Sequence, residues 1–301
     1  MNHNPLRLIV GDNPFHGISH LSQQRARERT PPQTPQTTQQ AAHIVERSVE
    51  NGANGFMFSV DETTLAIIQQ LRKNHPTSKT NLYAIAPYAY AYVRKATQTG
   101  GVSGLAMNFA RNMLFSSNAK VITTNLGGLA QFNPSALLKT YTAYELSRIK
   151  SAAGNDAHIE SFMLHEIITD MALALNMESL FKEYITFLEN RHIRPGFETR
   201  NFSILIDKFN HWNIDLSKLT LTSSFNKVGF QMCPSKRECE EALKRAGGAE
   251  IIAMSVLAAG YLKPIEAVDY LTNLEGVSGA VIGVSGEHQA DETFRVFREC
   301  C

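Results

Sequence analysis

The sequence predicts a single (β/α)₈ barrel, and two observations support this fold class. Eight short apolar runs recur along the 301 residues, and amphipathic helical stretches separate most of them. Strands that alternate with helices form a parallel sheet with right-handed crossovers. Eight such units in one chain favour closure into a TIM barrel over an open sheet. We therefore treat residues 1–301 as one domain.

The predicted strands are apolar runs that end in polar residues. They are 6–13, 55–62, 81–88, 158–166, 194–201, 219–226, 250–257 and 279–286. The fifth, "RPGFETRN", is the least apolar of them. Helical periodicity predicts helices over 37–53, 134–153, 177–192 and 234–248. The last of these opens with the capping box Ser235 and Glu238 and ends at Gly247.

Two segments interrupt the alternation. Residues 22–40 are polar and rich in Pro, Gln and Thr, so we expect a flexible loop after the first strand. The alternative is a lid that becomes ordered over a ligand. Residues 89–156 are too long for one crossover helix, which predicts a long insertion between strands 3 and 4. The insertion would lie over the barrel mouth or form an oligomer contact.

Charge and composition limit the classes of partner that the protein could bind. With 29 basic and 28 acidic residues, the chain has no electrostatic reason to bind nucleic acid or an anionic membrane. The most apolar segment, 251–262, is too short to span a bilayer and fits a buried parallel strand better. The N-terminal residues lack a signal-peptide pattern, and the four cysteines fit no zinc signature. We expect a cytoplasmic protein with a small-molecule ligand; the oligomeric state stays open.

Candidate catalytic residues follow from the fold, because barrel enzymes carry their reactive groups at the C-terminal ends of the strands. The candidates at those ends are Asp12, His16, Asp61, Tyr88, His165, Glu166 and Glu198. Since His165 and Glu166 are consecutive, only one of them should point into the barrel. Three structural alternatives stay open. Asp61 could cap the second helix, His16 could bond to loop backbone, and Glu198 could pair with Arg200.

Four stretches in the second half of the chain resemble the aldo-keto reductase superfamily. "EIIAMSVLAAGYLKP" resembles the seventh-strand region of that family, and "VIGVSGEHQADETF" resembles its eighth-strand signature. "RPGFETRNF" is similar to the fifth-strand Gly-x-Ser-Asn, with Asn201 at the Asn position. "SFMLHE" is similar to the fourth strand, which delivers the catalytic His of the family. His165 stands at that position.

The resemblance implies a catalytic Asp, Tyr, Lys and His, and this chain departs from that set. Asp61 stands near the Asp position, but Ala66 occupies the Tyr position. "APY" replaces the Lys at the end of strand 3. Loss of a general acid typically lowers the rate by about 10²- to 10⁴-fold. Tyr88 or Tyr90, just beyond strand 3, is a candidate to replace that acid.

The resemblance also implies a nicotinamide cofactor, NAD or NADP. The implied cofactor-binding residues are Asn201, Ser255, Leu257, Gly283, Ser285, Gly286, Gln289 and Glu292. Ser285 and Gly286 open the last helix, whose free amides suit a phosphate; the alternative is a plain helix cap. Near this loop, His288 is the one candidate to bind a 2′-phosphate, so the sequence prefers neither NAD nor NADP. It is equally consistent with a protein that binds no cofactor.

Three functions fit these observations. The first is a nicotinamide-linked oxidoreductase that acts on a small carbonyl or alcohol. The second is a cofactor-free or metal-assisted lyase, isomerase or hydrolase, with oxygen and imidazole groups from the ends of strands 1, 4 and 5. No HxH or HExxH spacing joins any two of those groups, so no metal site is predicted. The third is a barrel that binds a ligand without catalysis.

Overall fold

The chain closes into a barrel of eight parallel strands, with the helices on the outside. The computed structural model describes residues 5–16, 35–74, 80–87, 134–154 and 157–300. Each strand pairs in parallel with its chain neighbours, and β8 pairs with β1 to close the barrel. The predicted fold class is therefore confirmed.

The strands are short and fall inside the predicted runs. They are β1 (Arg7–Gly11), β2 (Gly55–Ser59), β3 (Asn81–Ala86), β4 (Ile159–Leu164), β5 (Arg194–Glu198), β6 (Thr220–Ser224), β7 (Glu250–Met254) and β8 (Gly279–Gly283). The run 194–201, the least apolar in the sequence, does form a strand. It pairs with both neighbours, and its Phe197 is fully buried.

Helices occupy the crossovers. They are α1 (Pro35–Glu50), α2 (Glu62–Asn74), α3 (Pro134–Ala153), α4 (Glu166–Ala174), α5 (Glu178–Glu189), α6 (Phe202–His211), α7 (Lys236–Leu243), α8 (Pro264–Thr272) and α9 (Glu287–Cys300). Ser235 caps α7 by accepting a hydrogen bond from the Glu238 N–H at 3.2 Å, as the capping box predicts. A short 3₁₀ turn, Asn13–His16, follows β1.

The two irregular segments lie partly outside the described residues. Helix α1 begins at Pro35, so residues 35–40 of the predicted flexible loop belong to a helix. Residues 22–34 lie outside the described ranges. In the predicted insertion, residues 89–133 also lie outside them, whereas 134–153 form α3. Helix α3 packs against α2 and α5, so it belongs to the outer ring of helices.

The barrel interior is layered from bottom to mouth. At the bottom, Arg7 forms an ion pair with Glu250 and donates a hydrogen bond to the Tyr83 hydroxyl at 3.0 Å. The middle layer is apolar and contains Ile9, Met57, Ile85, Met163 and Ile252. The alternate residues of each strand face outward and pack under the helices. The polar groups of the mouth therefore lie above this apolar middle layer.

Candidate functional site

His165 points into the barrel mouth. It follows β4, and its alternation with Ser161 and Met163, both on the interior face, sets its direction. The ring caps α4, because Nδ1 accepts the Ile167 N–H at 3.2 Å. That bond places the ring proton on Nε2. Burial lowers the pKa of His165, so the imidazole is neutral at pH 7 and presents an N–H donor.

Glu198 stands beside His165 on the next strand. Leu164 is the register partner of Phe197, which places the two following residues side by side at the mouth. Glu198 Oε2 accepts the Glu166 N–H at 3.1 Å. Burial, together with the nearby Glu166 charge, raises the pKa of Glu198 to about 8. At neutral pH this side chain is a carboxylic acid that can donate a proton.

Glu166 forms an ion pair with Arg200. Its Oε2 accepts a hydrogen bond from the Arg200 Nε at 2.8 Å. The pairing of Glu198 with Arg200, considered from the sequence, stays a prediction: Arg200 Nε binds Glu166, and the Arg200 charge also acts on Glu198. The Arg200 charge lowers the pKa of Glu198, but burial outweighs it, and the pKa is raised to about 8.

Asp170 organises the loop after β5, a role that the sequence analysis missed. Its carboxylate accepts hydrogen bonds from the Thr199 hydroxyl, from the Arg200 N–H at 3.2 Å and from the Asn201 side-chain amide at 3.1 Å. Asp170 lies four residues after Glu166 on α4, so both side chains share one helix face. That spacing is the signal that could have identified it. The Asn201 amide is held towards α4.

His16 lies between two aspartates from different strand ends. Its Nε2 is 3.3 Å from Asp12 Oδ2, and its Nδ1 is 3.5 Å from Asp61 Oδ2. Burial opposes protonation of His16, but the Asp12 hydrogen bond and the charges of both carboxylates raise its pKa. The two carboxylates thus stabilise the protonated imidazole relative to its neutral form. Asp61 also caps α2, since its Oδ1 accepts the Thr64 N–H at 2.9 Å.

Asp12 follows β1 on the side of the barrel opposite Glu198. In the closed order of eight strands, β1 lies opposite β5, and β4 adjoins β5. Asp12 is 6% exposed, and its Oδ2 accepts the Ser59 N–H at 2.7 Å. Its charge acts on both opposite groups. The strand order thus places a carboxylate on one wall and two proton donors on the other.

The residues implied for a cofactor fall into two groups. Gly283, Ser285, Gly286, Gln289 and Glu292 lie on the β8–α9 connection and the first turns of α9. There the Gln289 Oε1 accepts hydrogen bonds from the Ser285 N–H at 2.9 Å and the Ser285 hydroxyl at 3.1 Å. A Cβ on Gly286 would meet no atom within 4 Å, so the loop is open at that point.

The second group follows β7 and β5. The Ser255 hydroxyl is 3.2 Å from the Ser224 hydroxyl and 3.3 Å from Gln231 Oε1. Leu257 packs against the core between barrel and helices. Asn201 begins the segment that enters α6. Tyr88 lies outside the described residues, as does Tyr90.

The described ranges contain no group of three or more His, Cys, Asp or Glu residues arranged to hold a metal ion. Asp12, His16, His165, Glu166 and Glu198 do lie around one mouth. They bond instead to one another, to Arg200 and to backbone amides. Within the same ranges, no helix has the length and apolar character to cross a membrane.

No protein-family model matches the chain, and no curated protein matches it in sequence. Solved structures do match in fold. A Pseudomonas aeruginosa protein assigned to the aldo-keto reductases has a TM-score of 0.58 at 13% identity, over 99% of this chain and 95% of its own. A glycerol dehydrogenase from Gluconobacter oxydans has a TM-score of 0.56 at 11% identity, over 99% and 88% of the two chains.

A D-allulose 3-epimerase from Methylomonas sp. also matches, with a TM-score of 0.51 at 10% identity over 99% of both chains. Identities this low establish the shared fold and leave the chemistry to the site itself. The resemblance predicted from the sequence is thus confirmed at the level of the fold: the chain has the eight-stranded barrel of the aldo-keto reductases.

Proposed function

We propose that this protein is a nicotinamide-linked oxidoreductase that interconverts a small carbonyl compound and its alcohol, with Glu198 as the proton donor. The observation that carries the proposal is the pair at the mouth. A neutral imidazole N–H and a carboxylic acid stand on neighbouring strands at the same height. Two neutral donors side by side suit a carbonyl oxygen that gains negative charge and then a proton.

Glu198 replaces a tyrosine in this proposal. Ala66 lies in helix α2, at the position where the resemblance implies the acid, and its side chain has no acidic group. Pro87 lies in the "APY" segment where the lysine would stand, so no ammonium group can tune an acid from there. A carboxylic acid with a pKa of about 8 keeps its proton at neutral pH without such help.

The loop after β8 fits a dinucleotide. The backbone at Gly286 is open, and the first amides of α9 are suited to a phosphate. Ser285, Gly286 and Gln289 would hold the cofactor, which supplies a hydride when bound. Two carboxylates, Glu287 and Glu292, lie in the first two turns of α9 and disfavour an additional 2′-phosphate. We therefore propose NAD(H) over NADP(H).

The protein's own groups then have distinct tasks. The Nε2–H of His165 donates a hydrogen bond to the carbonyl oxygen and orients it. Glu198 gives its proton to that oxygen during reduction and takes it back during oxidation. His16 lies between the Asp12 and Asp61 carboxylates and holds them in place near the mouth.

The test combines binding and turnover. NADH should quench protein fluorescence or raise the melting temperature, and it should bind more tightly than NADPH. Small aldehydes and ketones should be reduced at a rate that Glu198→Gln lowers by about 10²- to 10⁴-fold, the usual contribution of a general acid. Glu183→Gln is the matched control, because that carboxylate pairs with Lys139 on the outer ring.

Two results would contradict the proposal. One is the absence of any shift with millimolar NADH or NADPH. The other is a Glu198→Gln variant as active as Glu183→Gln. A tighter complex with NADPH would contradict only the cofactor preference and would leave the role of Glu198 in place.

A further inference from the structure

We infer that the same mouth catalyses a second reaction without any cofactor: enolisation of α-hydroxy carbonyl compounds, with Asp12 as the base. The inference rests on the proposed function for the carbonyl-binding roles of His165 and Glu198, but it makes no use of a nicotinamide. It arises from Asp12, which carbonyl reduction does not use. Asp12 follows β1, the strand opposite β5, and its charge acts on both donors.

Asp12 has the features of a positioned base. It is 6% exposed, and its Oδ2 is held by the Ser59 N–H at 2.7 Å and by His16 Nε2 at 3.3 Å. Within the described ranges, no residue donates a hydrogen bond to its Oδ1. Asp12 Oδ1 is not among the buried side-chain atoms of the described ranges that lack a partner, so it is open at the mouth. The held Oδ2 fixes the plane of the carboxylate, and Oδ1 remains to accept a proton.

The opposite wall supplies the complementary groups. Removal of a proton from carbon becomes feasible when the neighbouring carbonyl oxygen receives hydrogen bonds and a proton at the same time. His165 Nε2–H and Glu198 occupy the wall opposite Asp12. A small carbonyl compound between the walls would present its oxygen to the two donors and its neighbouring C–H to Asp12.

The step balances without an added reagent. Asp12 takes the proton from the carbon next to the carbonyl, and the C–H electron pair becomes the C=C bond of the enol. The carbonyl π pair moves to oxygen, which takes the Glu198 proton. Return of a proton to the same carbon restores the substrate. In an α-hydroxy carbonyl, Asp12 can return the proton to the other carbon of the enediol while the hydroxyl on the first carbon gives its proton back to Glu198. This interconverts aldose and ketose and restores both side chains.

The alternative role for Asp12 is structural, as an acceptor that ties β1 to β2 through the Ser59 N–H. The two roles differ in a measurable way. A structural acceptor affects folding only, whereas a base is needed for exchange of carbon-bound hydrogen in folded protein. Asp12→Asn separates them, because the amide oxygen still accepts the Ser59 N–H but the side chain no longer takes a proton.

The experiment measures deuterium uptake in D₂O by proton NMR, on nucleotide-stripped full-length protein without added nicotinamide. The probes are hydroxyacetone, dihydroxyacetone and glyceraldehyde. We expect the wild type and Glu183→Gln to label the carbon next to the carbonyl of at least one probe. Asp12→Asn and Glu198→Gln should each lower that rate at least a hundredfold. Melting curves establish that each variant is folded.

Wild-type exchange no faster than in Asp12→Asn or buffer, for all three probes, would overturn the inference. If Asp12→Asn fails to fold, Glu198→Gln decides by the same comparison. NADH-dependent reduction is assayed on the same samples to separate the two proposals. Reduction without exchange contradicts enolisation alone, exchange without reduction contradicts the oxidoreductase alone, and the absence of both contradicts both.

Discussion

At the scale of single residues, Glu198 and His165 differ in how the fold sets their protonation. Burial acts on both, and in both it favours the neutral form. The carboxyl group therefore keeps its proton and the imidazole stays without a second one. A carboxyl group that would be charged in neutral water and an imidazole that stays neutral both act as hydrogen-bond donors at the mouth.

Carbonyl reduction should depend on pH through Glu198. Its pKa of about 8 means that the acid is protonated below that pH and loses its proton above it. We expect kcat/KM for reduction to fall above about pH 8 and alcohol oxidation to rise over the same range. Glu198→Gln should remove this transition from its residual activity. A reduction profile that stays flat from pH 6 to 10 would contradict the assignment.

The imidazole of His165 also stabilises α4, since Nδ1 accepts the Ile167 N–H at 3.2 Å. Loss of a helix cap typically costs about 0.5–2 kcal/mol. His165→Ala should lower the free energy of unfolding by about 1 kcal/mol in urea titrations. His165→Asn, which retains a side-chain acceptor, should recover part of that loss while remaining inactive. Equal destabilisation in both variants would speak against the cap.

At the scale of elements, β5 depends on a residue without a side chain. A Cβ on Gly196 would lie 2.3 Å from Met163 Cγ and 2.7 Å from the Ser161 hydroxyl oxygen, both on β4. The missing side chain lets Met163 fill the middle layer of the barrel. The packing of β4 thus determines that position 196 of β5 is a glycine. Glu198 lies two residues later, so strand alternation turns its side chain to the same interior face.

Gly196→Ala should therefore destabilise the protein. Overpacking of a filled interior costs about 1–3 kcal/mol, and we expect a loss in that range. Gly286→Ala is the matched control, because its Cβ would meet nothing within 4 Å. That variant should stay within about 0.5 kcal/mol of the wild type in urea unfolding. Similar losses for the two variants would show that the interior at β5 is less tightly filled than the distances indicate.

At the scale of the whole molecule, the barrel has a polar layer at each end. At the mouth, polar groups surround the proposed site. At the bottom, Arg7, Glu250, Thr220 and Tyr83 link strands that are distant in the chain. The Thr220 hydroxyl donates to Glu250 at 2.7 Å. The bottom layer closes the barrel, in keeping with the usual division between a catalytic face and a stabilising face.

Arg7→Met should destabilise the whole barrel, because it leaves the buried Glu250 carboxylate with less compensation. We expect a loss of about 1–3 kcal/mol, since Thr220 and Arg194 still contact that carboxylate. Arg245→Met removes an exposed pair with Asp207 and should cost less than about 1 kcal/mol. Chemical unfolding of both variants provides the comparison, and equal losses would contradict a closing role for Arg7.

The sequence by itself determined the barrel and the positions of its strand ends. Apolar runs and helical periodicity are local consequences of burial, so they can be read without knowledge of the neighbours. The N-cap at Ser235, predicted from the spacing of Ser235 and Glu238, was equally local and was confirmed. The same locality placed His165 and Glu198 at strand ends that the closed barrel brings to one mouth.

The tertiary structure decided what those residues are chemically. The partners of His16, Glu166 and Glu198 come from other strands and loops. Strand alternation fixed the inward direction of His165 once the register was known, and Asp170 emerged only from its contacts with the loop after β5. Protonation depends on burial and on nearby charge in space. The sequence alone reveals neither burial nor nearby charge. Only the fold shows that the pKa of Glu198 is raised and that β1, which precedes Asp12, lies opposite β5.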